Sequence, residues 1–479
     1  MSFSQAFRST LFASSCFLIL TSCNQQFNKN NFKAYFGGEV QNPVNRYVLF
    51  CKGNEVIDTI PLKGNNTFFK AFDSLAPGLY SFRHDPEYQY VYFDKNDSLM
   101  VHMNTKKFDE SVVFCGRGDQ KNNFLMEVFL KNEADRNKIY PVFDYDVAKF
   151  VQSIDASHKP LEDYYSEQKE EIQWSEGFDV YARAAIDFYH FSKKEMYPTV
   201  HKMRTGKDVS KKLPTDFYEF RKGIDFNNKG LADFSPFVTY LTHMLNNVSS
   251  PAAVAPSDAE VALKANIQKM KIADTLFKDA EIKNTILNNI AFTYLLEDQN
   301  MVNNQKFLQT FHKYSTDKSR KNEIVKIGEA IQQLDTGKPL PQIFLVDVNG
   351  KTVSSNDVLK KKTVIFCWTD RLNSHFIAAH KKVMDFAVRY PEYQFVSINL
   401  DNDQQKWTAN LERYNFPGII EFRGQDFEQI KDKWAITKIH RTIILNEDGT
   451  INNAFTNLFD VNFEKSLSSA TVAADIATN

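Results

Sequence analysis

Between about Phe32 and Gly118, apolar and polar residues alternate in short runs broken by turn-forming residues. The runs are Tyr47–Phe50, Val56–Ile60, Leu79–Phe82, Tyr90–Phe93 and Leu99–Met103, and the turns fall at Gly64-Asn65-Asn66, Pro77-Gly78 and Lys95-Asn96-Asp97. A two-residue period sends successive side chains to opposite faces of a strand. Repeated at spacings of about ten residues, it predicts a small antiparallel β-sandwich or barrel over 32–118.

From about Asp119 to Asp335 the period lengthens to that of amphipathic helices. Phe124, Leu125, Val128 and Phe129 form one apolar stripe, and Val147, Phe150, Val151 and Ile154 a second. Ser235-Pro236 reads as a helix start, Ser as N-cap and Pro at the first position, ahead of Tyr240, Leu241 and Leu245. Further stripes run through Ile272, Leu276 and Ile282, then Ile290, Phe292 and Leu295. No repeat period of solenoid length is visible, so 119–335 is expected to be an irregular helical bundle. Its internal linker lies at Pro251–Pro256.

Beyond about Gly337 strands alternate with helices. Val364–Trp368 reads as a buried strand, Ile377–Tyr390 as a helix, and Phe395–Leu400 and Arg441–Leu445 as two more strands, the last entering a hairpin at Glu447-Asp448-Gly449. The whole is expected to be a multidomain α+β protein ending in a compact α/β unit over 336–479.

Composition narrows the class without changing that layout. The 479 residues, 43% hydrophobic and 24% charged, suit two or three globular domains. A formal net charge of -1 provides no field to gather nucleic acid, so no nucleic-acid partner is expected. At the N-terminus Arg8 precedes an apolar run, Leu11–Leu20, too short to span a bilayer as a stable anchor. The run ends in Leu20-Thr21-Ser22-Cys23, which resembles the lipobox of bacterial lipoproteins. That resemblance implies cleavage before Cys23, a signal peptide over 1–22 and acylation of the Cys23 sulfur. An ordinary signal peptide with a chance cysteine is the alternative. Residues 23–31 would then be a polar tether. Asn24, in place of the Asp that marks inner-membrane retention, favours a lipid-anchored protein of the cell envelope on the outer membrane, facing the periplasm.

Of five cysteines, Cys16 leaves with the signal and Cys23 would carry lipid. Cys51, Cys115 and Cys367 remain, far apart and each in an apolar strand-like run, so they are expected to be buried structural thiols rather than a disulfide framework.

The segment 32–118 resembles the β-rich domain found ahead of thioredoxin domains in Bacteroidetes-type lipoproteins, through its aromatic strand after Gly64, its Pro77-Gly78-Leu79-Tyr80 and its closing Cys115-Gly116-Arg117-Gly118. The last third resembles the TlpA/ResA-like thiol-disulfide oxidoreductases of the thioredoxin superfamily. That likeness is carried by Gly337-Lys338-Pro339-Leu340-Pro341, Asp347-Val348-Asn349-Gly350-Lys351-Thr352-Val353, the strand Thr363–Trp368, Asn399-Leu400-Asp401, Trp407 and Asn446-Glu447-Asp448-Gly449. The family places Trp-Cys-x-x-Cys at the end of the central strand, where a helix N-terminus lowers the first thiol's pKa. Aligned on Trp368, those two cysteines fall on Leu372 and His375, and no cysteine occurs anywhere after Trp368. The family's proton-transfer Glu falls on Ala378 and its cis-Pro on His440. A cis bond before a non-proline residue costs about 3 kcal/mol, so His440 is expected to be trans.

This degenerate pattern leaves no catalytic residue to name and implies no cofactor. Cys367, inside its strand, is expected to be desolvated and inert. His375 and His440 should face each other across the old site and could hold a metal ion only if Asp370 or His380 joined them, so no metal site is expected. Asp225–Gly230 faintly resembles a calcium loop, but Lys229 holds a ligand position and Pro236 the place of the bidentate Glu, which excludes it. The expected function is therefore non-catalytic binding or scaffolding of an envelope protein or peptide. The alternative is a thiol-disulfide oxidoreductase of the family or its redox partner.

Overall fold

The computed structural model describes residues 32–53, 55–84, 87–136, 138–249, 259–297, 301–359, 361–370, 373–401, 403–436, 439–460 and 463–467. Cys16, Cys23, the linker at 251–256 and Leu372 lie outside them. The chain divides into two compact units, one running to Lys193 with Asp233–Phe237, the other comprising Lys194–Ala232 and everything from Val238.

The first unit opens with eight strands: β1 (Ala34–Gln41), β2 (Tyr47–Lys52), β3 (Glu55–Pro61), β4 (Thr67–Phe72), β5 (Gly78–His84), β6 (Glu87–Phe93), β7 (Ser98–Asn104) and, after the short helix α1 (Phe108–Ser111), β8 (Val113–Arg117). They form two four-stranded sheets, ordered β4-β1-β7-β8 and β3-β2-β5-β6. Phe36 of β1 and Phe50 of β2 bring their rings within 5.4 Å across the gap, so the sheets face each other as a sandwich. The expectation of an all-antiparallel domain needs one correction: β1 runs parallel to β7. The chain passes through the whole second sheet between those two strands, and such a long crossover is what a parallel pair requires. Gly38 permits that pairing, because a Cβ there would lie 2.0 Å from the Val101 carbonyl oxygen.

Period-two alternation also corrects the reading of Cys115. Phe114 points into the core, so its neighbour in the edge strand β8 points out, and Cys115 is exposed. Cys51 and Cys367 are buried as expected.

Helix α2 (Asp119–Arg136) is fastened to the sandwich by polar groups. Asn122 accepts from the Tyr92 N–H (2.7 Å) and donates to the Tyr92 carbonyl (2.9 Å), completing the open ladder of β6. The buried Lys121 ammonium meets the carboxylates of Asp97 (2.5 Å) and Asp94 (3.2 Å). A helical hairpin follows, α3 (Val147–Ile172) and α4 (Glu176–Thr205). Asp146 caps α3 by accepting from the Lys149 N–H (3.0 Å), and Gln173 ends it in the left-handed conformation. Phe150, Ile154, Leu161 and Tyr165 are its buried stripe.

The remaining helices are α5 (Ser235–Ser249), α6 (Ala259–Leu276), α7 (Ala280–Glu297), α8 (Met301–Tyr314) and α9 (Lys318–Gln333). Helix α5 begins at Ser235 itself, so that serine opens the first turn and does not precede it as a cap. Along α7, Ile290 and Leu295 are buried while Phe292 faces out.

In the second unit a seven-stranded mixed sheet is ordered β10-β9-β13-β12-β11-β14-β15. Its strands are β9 (Phe344–Val346), β10 (Thr352–Ser354), β11 (Thr363–Trp368), β12 (Gln394–Asn399), β13 (Ile419–Gly424), β14 (Arg441–Leu445) and β15 (Ile451–Asn457). Strands β11, β12 and β13 are parallel, and β14 returns antiparallel to β11. Helices α10 (Ser355–Val358), α11 (Asn373–Arg389), α12 (Gln404–Tyr414) and α13 (Phe427–Trp434) connect them. The expected strands at 364–368, 395–400 and 441–445 are present within a residue of their predicted bounds. Strand β13 and helix α13 were not anticipated.

Candidate functional site

The site that the sequence singles out lies where β11 ends and α11 begins. All six residues of β11 are buried. Cys367 is 1% exposed, and burial pushes its thiol up to about 12, against the weaker downward pull of the Arg441 guanidinium. Near neutral pH the group is thereby held as the thiol and not as the nucleophilic thiolate. Arg441 is itself buried. Its guanidinium donates to the Ala454 carbonyl (2.9 Å) and the Ala435 carbonyl and lies 4.0 Å from the Phe455 ring centroid.

Trp368 closes the strand against Phe376 of α11, their rings stacked at 4.1 Å, and its indole N–H donates to Ser397 Oγ (2.7 Å). Behind it His380 is fully enclosed. Its Nδ1 lies 2.7 Å from the Phe376 carbonyl, and its Nε2 is 3.3 Å from both Ser397 Oγ and Glu421 Oε1. The turn after Trp368 is held by Asp401, which accepts from the Thr369 hydroxyl (2.7 Å) and the Asp370 N–H (2.6 Å). Asp370 in turn accepts from Asn410 Nδ2 (2.5 Å), and burial, followed by the Asp401 charge, raises its carboxyl above the usual range.

His375 sits in the first turn of α11, half-buried, its ring 5.6 Å from that of Phe459. Both its ring nitrogens are hidden from water without a hydrogen-bond partner among the described residues. Burial lowers its pKa, and the nearby imidazoles of His440 and His380 lower it further, so His375 is neutral near neutral pH. His440 is exposed just ahead of β14, and Ala378 faces solvent on α11. Leu372 lies outside the described residues. His380 and Asp370 are committed to the partners above, which leaves His375 and His440 without the further ligands an ion would need. Among the described residues, ligand atoms gathered closely enough for one ion occur elsewhere, on α3 and α4, at His158, Glu162 and Asp187. The sequence reading missed that group, although His158 and Glu162 stand at the i,i+4 spacing that places two side chains on one helix face.

No helix among the described residues is long and apolar enough to cross a membrane. No protein-family model matches the chain, and no curated protein does. The solved structures to which it is similar in part include the following three. The thioredoxin domain of a thiol-disulfide oxidoreductase from Bacteroides vulgatus is 18% identical over 25% of this chain and 86% of its own, with a TM-score of 0.22. A thiol:disulfide interchange protein from a Bacteroides species is 15% identical over 31% of this chain and 93% of its own, with a TM-score of 0.24. A domain described as a possible thiol-disulfide isomerase from Cytophaga hutchinsonii is 18% identical over 30% of this chain and 97% of its own, with a TM-score of 0.27. These are likenesses of fold over part of the chain.

Proposed function

We propose that this chain is a lipid-anchored binding protein of the cell envelope whose thioredoxin-like domain works without thiol chemistry. The observation that carries the reading is Cys367: it is enclosed in β11 with its thiol held protonated, and no cysteine follows it in the sequence. Disulfide exchange needs an attacking thiolate and a second thiol to resolve the mixed disulfide. Leu372 and His375, at the two positions the resemblance assigns to that pair, provide neither. The surface left there combines the neutral His375, the exposed His440 and the Phe459 ring, groups suited to contacting an envelope protein or peptide.

In an insulin-reduction assay with dithiothreitol, the purified protein should therefore match the uncatalysed rate. Turnover abolished by Cys367→Ser would overturn the reading and make that thiol catalytic. Turnover abolished instead by Cys115→Ser, the exposed thiol on β8, would overturn it equally and move the chemistry to the sandwich.

Anchoring rests on separate grounds, the Arg8 charge, the short apolar run Leu11–Leu20 and Leu20-Thr21-Ser22-Cys23. Cys23 is proposed as the lipidated first residue of the mature protein, on the outer membrane and facing the periplasm. Metabolic labelling with a fatty acid should mark the wild-type protein and leave Cys23→Ser unlabelled. Equal label in both would remove the anchor from the proposal.

A further inference from the structure

In the helical hairpin of the first unit, His158 and Glu162 lie one turn apart on α3, facing Asp187 on α4. His158 Nε2 is 3.5 Å from Glu162 Oε1 and 3.8 Å from Asp187 Oδ1, and all three ligand atoms lie within 4.8 Å of one another. Ligands bound at about 2.0–2.1 Å in a tetrahedral zinc site are separated by about 3.4 Å. The three atoms are thus within a rotamer adjustment of that geometry, on two helices joined by the short turn 173–175.

The neighbours would hold such a site in place. The His190 ring stacks on His158 at 4.2 Å and 20°, and His190 Nε2 lies 3.4 Å from Asp155 Oδ1, which fixes the plane of the liganding imidazole. The ordinary alternative is a salt-bridge cluster centred on Arg183, whose guanidinium faces both carboxylates. That arrangement is present in the structure, with contacts that are long. They measure 3.4 Å to Glu162 and 3.2 Å to Asp187, where well-formed charge-assisted bonds measure about 2.7–2.9 Å. Arg183 is 41% exposed and lies 4.8 Å from the Tyr165 ring centroid, so it can withdraw onto that ring when another cation enters.

We propose that His158, Glu162 and Asp187 form a binding site for a divalent transition-metal ion of the zinc class, with at least one coordination position open to water or to a ligand. One nitrogen and two carboxylate oxygens suit Zn²⁺ and its Co²⁺ analogue. The site lies in a different unit from β11 and does not depend on what the thioredoxin-like domain does.

The test is titration of the chelator-treated full chain with Zn²⁺ by calorimetry, and with Co²⁺ by visible absorption. A single equivalent should bind, with a Co²⁺ spectrum free of thiolate-to-metal charge transfer. His158→Ala and Asp187→Asn should each weaken binding by about tenfold or more. Arg183→Ala, which removes the competing cation and no ligand, should tighten it, a result that loss of folding could not imitate. The proposal is overturned if no stoichiometric binding occurs. It also fails if the ion binds undiminished to the double variant His158→Ala, Asp187→Asn, or if the spectrum shows thiolate ligation, which would place the ion on the cysteines.

Discussion

Replacing Arg221 by alanine should destabilise the second unit by about 3–5 kcal/mol, because it strands a carboxylate in the interior. Glu195 of α4 has a side chain with no exposure to solvent. Its oxygens accept from Arg221 Nε (2.8 Å) and Nη2, from Asn247 Nδ2 (2.6 Å) and from the Tyr240 hydroxyl (3.4 Å). The bidentate arginine is what makes an ionised carboxylate tolerable there, since an unpaired buried charge costs several kcal/mol. Urea unfolding at neutral pH reads the effect as a fall in midpoint. The double change Glu195→Leu, Arg221→Met should recover much of the loss, because an apolar pair of similar volume leaves no charge uncompensated. If the single arginine variant unfolds like the wild type, Glu195 has access to water that the structure denies it.

The other large effect is expected in the sandwich. Phe36→Ala should cost about 3–5 kcal/mol, the usual range for deleting an enclosed aromatic ring. The ring of Phe36 lies 5.4 Å from those of Phe50 and Phe68, 5.5 Å from Phe82 and 6.1 Å from Phe93. Truncation therefore opens a cavity and also removes ring pairings worth about 0.5–1.5 kcal/mol each. Phe69 on β4 provides the internal comparison, since it is 49% exposed and its loss should cost well under half as much. Unfolding midpoints of the two variants, measured side by side, decide the matter. Similar losses at both positions would mean that the two sheets do not close over Phe36.

Much of this architecture was legible because strands and helices write their periods into the chain. Val364–Trp368 is a run buried on both faces, and Leu99–Met103 alternates, so each declares its place locally. Strand β13 was missed because its pattern is mixed, with Ile420 exposed and Glu421 half-buried against His380. Its one local signal is Ile419-Ile420-Glu421-Phe422 directly after Pro417-Gly418. The parallel partner of β1 was illegible for a related reason: the direction of pairing depends on the path of the intervening chain and not on either strand's composition. Cys115 shows a signal that was available and not used, for alternation through Phe114 already turns it outward. At the end of β11 the sequence was informative about which residues are absent, since no cysteine follows Cys367. The sequence singled out Cys367, His375 and His440, but not the enclosure of the His375 nitrogens. The Glu195–Arg221 pair and the approach of Asp187 to His158 join residues distant in sequence, and only the folded chain brings such carboxylates to their partners.

The interior position of β1 bears on the order in which the chain can fold as it is made. Synthesis delivers β1 first, yet its neighbours in the sheet are β4 and β7, so one ladder edge stays open until Ser98 has emerged. The hairpin of β5 and β6 needs no such delay. The nascent chain therefore carries an unfinished, aromatic-rich strand at its leading end while later segments are already able to pair, the circumstance in which edge-to-edge association between chains competes with folding. That interval is a reason for the growing chain to be held by a chaperone until the sandwich can close in a single step.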